Sequence, residues 1–333
     1  MINRPGRGPL LVAILAIGVT TTACGAATGS PAATTDAGGV PSVAPSYPGW
    51  PASGAILGNP NLVPFLISSE AVVGRNRLLV TVADRTQALI AAPDLPVELR
   101  FFDLATEPDT PVTDLPGTFQ WLVQDTKGLY VVNADFSHAG EWGLEVVANV
   151  STASELRSRL VFSVTETSRT PALGAAAPPS DTLVASDLEG IFRISTDTTP
   201  DPSFYALSIR QALAAGKPFV VVFASPLLCV SQTCGPALDV VKGIAPAYRD
   251  RLNFVHVEPY ELQPAPGLHV GRTPLQPVLD ATGRPKTVKA VTEWGLPSEP
   301  YVFVIGSDGT VKAKFEGVAY HDELVAALDD LFR

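Results

Sequence analysis

The residues with the greatest chemical potential are two cysteines, Cys229 and Cys234, which are separated by four residues. A cysteine thiolate is a strong nucleophile and a metal ligand, and a closely spaced thiol pair can form or exchange a disulfide. The third cysteine, Cys24, lies close to the amino terminus. The sequence therefore predicts a two-thiol site in which each cysteine has the other as its natural partner.

The elements around this pair predict where the two sulfur atoms lie. The uninterrupted apolar run Phe219–Phe223 predicts a strand buried on both faces, and an amphipathic helical stretch follows Cys234. A cysteine in the loop that enters a helix lies near unsatisfied N–H groups, which favour the thiolate over the thiol. We expect Cys229 to be the nucleophile and Cys234, in or near the first helical turn, to be the resolving thiol.

Two segments of the chain carry a resemblance to a known family. Residues 217–226, the cysteine pair and the following helix resemble the strand, cysteine motif and long helix of the thioredoxin superfamily. Residues 294–305 are similar to the family's segment in which a cis-proline precedes a strand, and Pro300 occupies the position of that proline. The resemblance implies an α/β thioredoxin-like fold for residues 201–333.

The resemblance also implies roles for individual residues. Cys229, Cys234 and Pro300 are expected to be catalytic, with Pro300 lying against the cysteines. Glu299 precedes that proline and is expected to bind an extended substrate segment. The sequence departs from the family at two points: four residues separate the cysteines instead of two, and Val222 stands where many thioredoxins bury a carboxylate.

Carboxylates elsewhere in the sequence are candidate substitutes for that missing proton carrier, and Glu258 and Glu299 are the two that we single out.

Further elements are predicted from local patterns. Ser208 and Gln211 have the spacing of a capping box, which predicts a helix start. Residues 306–309 predict a hairpin turn, and residues 322–332 predict a closing helix with one apolar face.

The amino terminus predicts export. Arg4 and Arg7 precede an apolar run over residues 10–19, which is typical of a secretory signal and too short to span a bilayer permanently. Residues 21–25 resemble the end of a bacterial lipoprotein signal, which implies a signal peptide over residues 1–24 and lipidation at Cys24. Because Thr21 replaces the usual larger aliphatic residue, a freely secreted protein remains the alternative.

Between the signal and residue 201 we predict three segments. Residues 25–60 are rich in Ala, Thr, Gly, Ser and Pro and predict a disordered tether. Residues 61–166 contain short alternating apolar runs, about seven strands, which predict an all-β sandwich. Within them, residues 138–146 resemble a late strand of immunoglobulin-like bacterial modules. Residues 167–200 predict a linker, in which residues 190–194 could add an edge strand to either neighbour.

Composition limits the classes of partner. The formal net charge of −10 argues against a nucleic-acid partner, because phosphate binding requires a cationic surface and none is concentrated here. The expected location is the cell membrane, with the protein held by its lipid anchor and facing outside the cytoplasm, where glutathione does not keep thiols reduced. The expected partners are exported proteins with thiols or disulfides, and no cofactor or resident metal is predicted.

Three functions fit these observations. The first is a thiol-disulfide oxidoreductase that acts through Cys229 and Cys234. The second is a copper-binding or copper-delivery protein, since thiolates suit Cu(I), with His256 or His269 as a possible third ligand. The third is a non-catalytic binding module in which the two cysteines form a permanent structural disulfide.

Overall fold

Strands dominate the first half of the chain that the structure describes. The computed structural model describes residues 46–151, 154–267 and 274–333. Residues 46–166, called the β-rich half here, contain nine strands, eight of which lie within residues 61–166, where the sequence predicted about seven. They are β1 (Ile56–Gly58), β2 (Val63–Leu66), β3 (Gly74–Ala83), β4 (Val97–Asp103), β5 (Thr113–Pro116), β6 (Thr118–Val123), β7 (Lys127–Phe136), β8 (Gly140–Ser151) and β9 (Ser154–Val164).

These strands form two antiparallel sheets around one apolar core. One sheet has the order β1-β9-β8-β4-β5 and the other has the order β2-β3-β7-β6. The alternation read from the sequence is confirmed, because the residues predicted to face a core are buried together. They are Leu78, Val80, Val82, Leu99, Phe101, Trp142, Leu144, Val146, Leu160, Phe162 and Val164. The prediction of a β-rich segment at this place is therefore confirmed.

The carboxy-terminal half, residues 167–333, is built on a mixed four-stranded sheet with the order β11-β10-β14-β15. The central strand β10 pairs in parallel with β11 and antiparallel with β14. A two-stranded hairpin, β12 with β13, stands apart from this sheet. The strands are β10 (Phe219–Phe223), β11 (Asn253–Val257), β12 (Leu262–Pro264), β13 (Leu275–Pro277), β14 (Tyr301–Ile305) and β15 (Val311–Glu316).

Helices cover both faces of this mixed sheet. They are α1 (Leu188–Ile194), α2 (Ile209–Ala214), α3 (Cys234–Tyr248), α4 (Lys289–Glu293) and α5 (His321–Asp330). Val220 and Val222 of β10 pack into a core with α3 and α5, whereas Phe219, Val221 and Phe223 pack with α2 and α4. All five residues of β10 are buried, so the prediction of a strand covered on both faces is confirmed.

Local signals in this half are also confirmed. Ser208 caps α2, and both hydrogen bonds of the predicted capping box with Gln211 are present. Gly309 has a φ of 74° in the turn between β14 and β15, where a left-handed backbone favours glycine. The closing helix buries Leu324 and Leu328 on one face.

The predicted tether requires a correction at its carboxyl end. Residues 25–45 lie outside the described residues, but residues 46–60 pack onto the β-rich half. Trp50 is buried against Phe102, with ring centroids 4.8 Å apart, and its indole N–H donates to the carbonyl oxygen of Pro108 at 2.8 Å. Strand β1 then joins the five-stranded sheet. One large aromatic residue buries enough apolar surface to order a segment whose average composition predicts disorder.

The predicted linker over residues 167–200 also requires a correction. Its short apolar piece forms α1, which buries Ile191, and adds no edge strand to either sheet. Asp187 caps this helix by accepting a hydrogen bond from the Gly190 N–H at 2.7 Å. Thr170, Ser180 and Thr196 are buried as well. The segment is therefore anchored at several buried positions, although many of its other residues are exposed.

An ionic contact joins the two halves, which lie within one compact unit. The Arg77 guanidinium, on β3, donates two hydrogen bonds of 2.8 Å to the carboxylate of Glu323. It also donates to the carbonyl oxygens of Glu316 and Val318. The Arg77 side chain is 10% exposed, so this contact is largely removed from water. A second contact joins the Lys314 ammonium to the Glu70 carboxylate at 3.4 Å.

Arg77→Ala should lower the free energy of unfolding by about 2–4 kcal/mol, because it leaves a carboxylate and two carbonyl groups without their donor. The control is Arg193→Ala on α1, where the ion pair with Glu189 is exposed and the expected change is within about 0.5 kcal/mol. Urea unfolding monitored by tryptophan fluorescence measures both. Equal stability of the two variants would contradict a structural role for the Arg77 contact.

Candidate functional site

The cysteine loop connects the end of β10 to the start of α3. Its backbone is held by hydrogen bonds from the Cys229 N–H to the Ser225 carbonyl at 3.1 Å and from the Gln232 N–H to the Cys229 carbonyl at 3.2 Å. Gln232 has a φ of 64°, which closes the loop before the helix. Cys234 is the first residue of α3. Both cysteines therefore lie where the sequence predicted, one in the loop and one in the first helical turn.

The two thiols differ in their access to solvent. Cys229 is 9% exposed and Cys234 is fully buried, and both are free thiols. The sulfur of Cys229 lies 3.0 Å from the Ser231 hydroxyl, which in turn lies 2.7 Å from the Thr233 hydroxyl. Beside Cys229, Val230 is 95% exposed. Both thiols are thus buried, and Cys229 is the one that keeps some exposure to solvent.

Hydrogen bonding separates the acidities of the two thiols. The thiol of Cys234 donates to the Cys229 sulfur and is the main cause that lowers the pKa of Cys229 to about 5. Ser231 and the N–H groups of Cys234 and Thr233 act in the same direction, against the opposing effect of burial. The same hydrogen bond, together with burial, raises the pKa of Cys234 far above its usual range. Cys229 is therefore the thiolate at neutral pH and Cys234 the protonated thiol.

The segment before β14 brings a carboxylate to the sulfurs. The Glu299–Pro300 peptide bond is cis, the geometry that the resemblance implies. A carboxylate oxygen of Glu299 and the two sulfurs all lie within 4.8 Å of one another. The Tyr260 hydroxyl donates to Glu299 Oε1 at 2.7 Å. Burial, and then the negative charge of Cys229, raise the pKa of Glu299. Four residues singled out from the sequence are thus assembled at one place.

A second carboxylate, Glu258, lies deeper and is only 7% exposed. Glu258 Oε2 accepts hydrogen bonds from the Thr196 N–H at 2.9 Å and from its hydroxyl at 3.0 Å. The Ser225 hydroxyl lies near the carboxyl without completing a hydrogen bond to Oε1. Burial raises the pKa of Glu258 to about 7, against the lowering effect of Ser225 and Thr196. Together with Tyr260 it lines a cavity of about 290 Å³.

Of the two histidines proposed as copper ligands, His256 is the one within the described residues, and it is not brought to the sulfurs. His256 is buried, and its Nδ1 and Nε2 atoms are engaged by the Tyr205 hydroxyl at 2.8 Å and the Ala224 carbonyl at 2.9 Å. His269 and Cys24 lie outside the described residues. Within the described ranges, the group of possible metal ligands at this site contains two cysteines and one glutamate and no histidine.

Sequence reasoning missed three contributors to the site: Tyr260, Thr196 and Ser225. Each reaches a carboxylate from a different part of the fold, and none has a spacing to the cysteines that could have indicated a role. Lys127 was missed as well. It lies at the start of β7 in the β-rich half, and its ammonium group is 3.4 Å from Gln232 Oε1 in the cysteine loop. The β-rich half therefore extends to the edge of the site.

Comparison with known proteins adds little to this geometry. No family model and no curated protein matches the chain. Among solved structures, the soluble domain of PmoD from Methylocystis sp. ATCC 49242 (Rockwell) is 18% identical over 31% of this chain and 88% of its own, with a TM-score of 0.21. A similarity of that size carries no argument about fold or function.

None of the helices in the described residues has the length and apolar character needed to cross a bilayer.

The difference in thiol acidity predicts selective alkylation. Cys229 should react with iodoacetamide at a rate that rises with pH around an apparent pKa of about 5, because the thiolate is the reactive species. In Cys234→Ala this pKa should move upward, toward that of an ordinary cysteine, since the main hydrogen bond to the thiolate is removed. Mass spectrometry of the labelled peptides over a pH series measures both. Faster labelling of Cys234 than of Cys229 would contradict the assignment.

Glu258 predicts a specific dependence of stability on pH. An acid whose pKa is raised on folding binds its proton more tightly in the folded state, so its contribution is complete below pH 4.5 and is lost as pH rises through about 7. Glu258→Gln should therefore gain about 2–3 kcal/mol relative to the wild type between pH 5 and pH 8. Urea unfolding at a series of pH values measures the gain. Glu189→Gln, which removes an exposed acid from α1, is the control and should show no such trend.

Proposed function

We propose that this chain is a membrane-anchored, extracytoplasmic, thioredoxin-like protein that exchanges disulfides through Cys229 and Cys234. The observation that carries the proposal is the arrangement of the two thiols at the start of α3. Cys229 lies in the loop and keeps 9% of its surface exposed, and the Cys234 sulfur lies within 4.8 Å of the Cys229 sulfur, close enough to replace a partner bound there. A structural disulfide would not need a difference in acidity between the two thiols.

The proposed thioredoxin-like fold is supported by the order of elements around the site. Strand β10, the cysteine loop, α3 and the parallel strand β11 are followed by the cis bond before Pro300, then β14, β15 and α5. For the β-rich half we propose an immunoglobulin-like sandwich. The support for this proposal is the pair of antiparallel sheets around one core. Neither of the described cysteines lies in that half, so an inter-sheet disulfide through them is not part of the support.

The exchange proceeds in two balanced steps. The Cys229 thiolate attacks one sulfur of a partner disulfide, forms a mixed disulfide and displaces the other sulfur as a thiolate, which takes a proton from solvent. Cys234 then loses its proton and attacks the Cys229 sulfur, which releases the second partner sulfur. Glu299 lies close enough to Cys234 to take that proton. The net result is the transfer of two electrons from the protein to its partner, whose two sulfurs take their protons from solvent while Cys234 gives up one proton. The reverse sequence oxidises a partner dithiol.

The proposed partners are exported proteins that carry thiols or disulfides. Two exposed apolar side chains of the cysteine loop support contact with a partner segment: Leu227 is 62% exposed and Val230 is 95% exposed. The backbone at Glu299, adjacent to the sulfurs, is the proposed site for an extended stretch of the partner. The proposed anchor is a lipid on Cys24, which would place the exchange outside the cytoplasm, where partner disulfides are stable.

Cys234→Ser should accumulate mixed disulfides with exported proteins, because Cys229 can attack but nothing can resolve the product. The matched control is Cys229→Ser, which should trap none although it retains one thiol. Non-reducing electrophoresis of the full chain expressed in its membrane, with and without reductant, shows the adducts. Equal trapping by both variants would indicate non-specific oxidation and would contradict the proposal.

The redox potential separates a working couple from a structural disulfide. Equilibration of the full chain with defined ratios of oxidised and reduced dithiothreitol should give a potential above about −300 mV, because the acidic Cys229 thiolate stabilises the reduced form. A value well below that limit would instead indicate a permanent disulfide and a binding module.

A further inference from the structure

The proposed exchange uses Glu299 to take the proton of Cys234, a role that does not require the carboxylate to lie close to the Cys229 sulfur as well. Exchange requires two sulfurs, yet the fold holds a carboxylate within 4.8 Å of both. A second negative charge beside the Cys229 thiolate is unfavourable, and the Tyr260 hydroxyl nevertheless holds Glu299 there with a hydrogen bond of 2.7 Å. A cation bound between the three groups would convert this repulsion into attraction.

We propose that the reduced protein binds one zinc ion through Cys229, Cys234 and Glu299. Cysteine sulfur and carboxylate oxygen are both zinc ligands, at about 2.3 Å and about 2.0–2.2 Å respectively. Two sulfurs bound to one tetrahedral zinc ion lie roughly 3.8 Å apart. The three ligand atoms here lie within 4.8 Å of one another, so the two sulfurs need to approach each other by about 1 Å at most to bind one ion. The fourth position is left for water or for a ligand from a partner.

The donor set favours zinc over copper. Cu(I) is selected by soft sulfur ligands, whereas a carboxylate suits a harder ion, and Zn²⁺ binds both cysteine sulfur and carboxylate oxygen. His256, which the sequence offered as a copper ligand, has both ring nitrogens committed elsewhere. The hydrogen bond from Tyr260 fixes the orientation of the Glu299 carboxylate, as outer hydrogen bonds do at many zinc sites.

Binding of zinc and exchange of disulfides exclude each other at this site. When a partner disulfide oxidises the two zinc-bound thiolates, the sulfurs of Cys229 and Cys234 bond to each other. The two partner sulfurs gain the electrons and take two protons from solvent, and Zn²⁺ leaves with its charge unchanged. The metal would thus protect the dithiol until a partner disulfide releases it.

The test uses the reduced full chain in detergent, freed of reductant, with Zn²⁺ as the ligand and a chromophoric chelator as the competitor. One zinc ion per chain is expected, with no binding after oxidation or in Cys229→Ser. Glu299→Gln should weaken binding at least about tenfold, and Tyr260→Phe about tenfold. Glu293→Gln, which removes an exposed acid from α4, should bind as the wild type does.

A spectroscopic measurement makes the test independent of any variant. Co²⁺ added to the reduced wild-type chain should give the intense thiolate charge-transfer bands and the visible bands of a tetrahedral site, and Zn²⁺ should abolish them. Absence of these bands, or zinc affinity unchanged in Glu299→Gln, would overturn the proposal. Tight Cu(I) binding that Glu299→Gln leaves unaffected, with no zinc bound, would overturn it in favour of copper.

This proposal and the exchange function fail separately. A chain that binds zinc but traps no partner and has a potential well below about −300 mV refutes the exchange function alone. A chain that traps partners through Cys229 but binds no zinc refutes the zinc site alone.

Discussion

Burial of β10 on both faces is the constraint on which the site depends. Five consecutive apolar residues are covered by α3 and α5 on one side and by α2 and α4 on the other. A strand held in this way cannot shift its register without exposing large side chains to water. Its carboxyl end is therefore a fixed point, and the cysteine loop starts from it. The start of α3 is fixed by the same core, so the loop that carries Cys229 is anchored at both ends.

Several ionisable side chains lie close together at the carboxyl end of β10. The Cys229 thiolate and the half-buried Glu299 carboxylate both lie close to the buried Cys234 thiol, and the buried carboxyl of Glu258 is near enough to Glu299 for the two charges to interact. Such a collection of like charges costs free energy unless protons or a cation are shared among them. The Cys234 thiol donates a hydrogen bond to the Cys229 sulfur, and the Tyr260 hydroxyl donates one to Glu299. This scarcity of positive charge motivates the zinc proposal, because a metal ion that enters the site offsets the negative charges of the thiolate and the carboxylate.

The β-rich half contributes more than a spacer would. Arg77 anchors it to the loop before α5 and to that helix, through the Val318 carbonyl and the Glu323 carboxylate. Lys127 extends to the cysteine loop at Gln232. Anchored at the first of these places, the β-rich half is held in a defined position beside the site. A partner that approaches Cys229 meets a surface to which both halves contribute.

The sequence by itself determined the parts that depend on local patterns. Alternation fixed which faces of the strands are buried, the apolar run fixed β10, and the capping box fixed the start of α2. The order of strand, cysteine loop and helix placed Cys229 and Cys234 correctly, because neighbours along the chain suffice to define it. Tertiary structure alone decided the rest. Trp50 orders part of a segment whose composition predicts disorder, α1 replaces a predicted strand, and Tyr260, Thr196 and Ser225 approach the carboxylates from separate elements. These contacts join residues distant in sequence, and their energies depend on burial and distance in the folded chain, which no local pattern records.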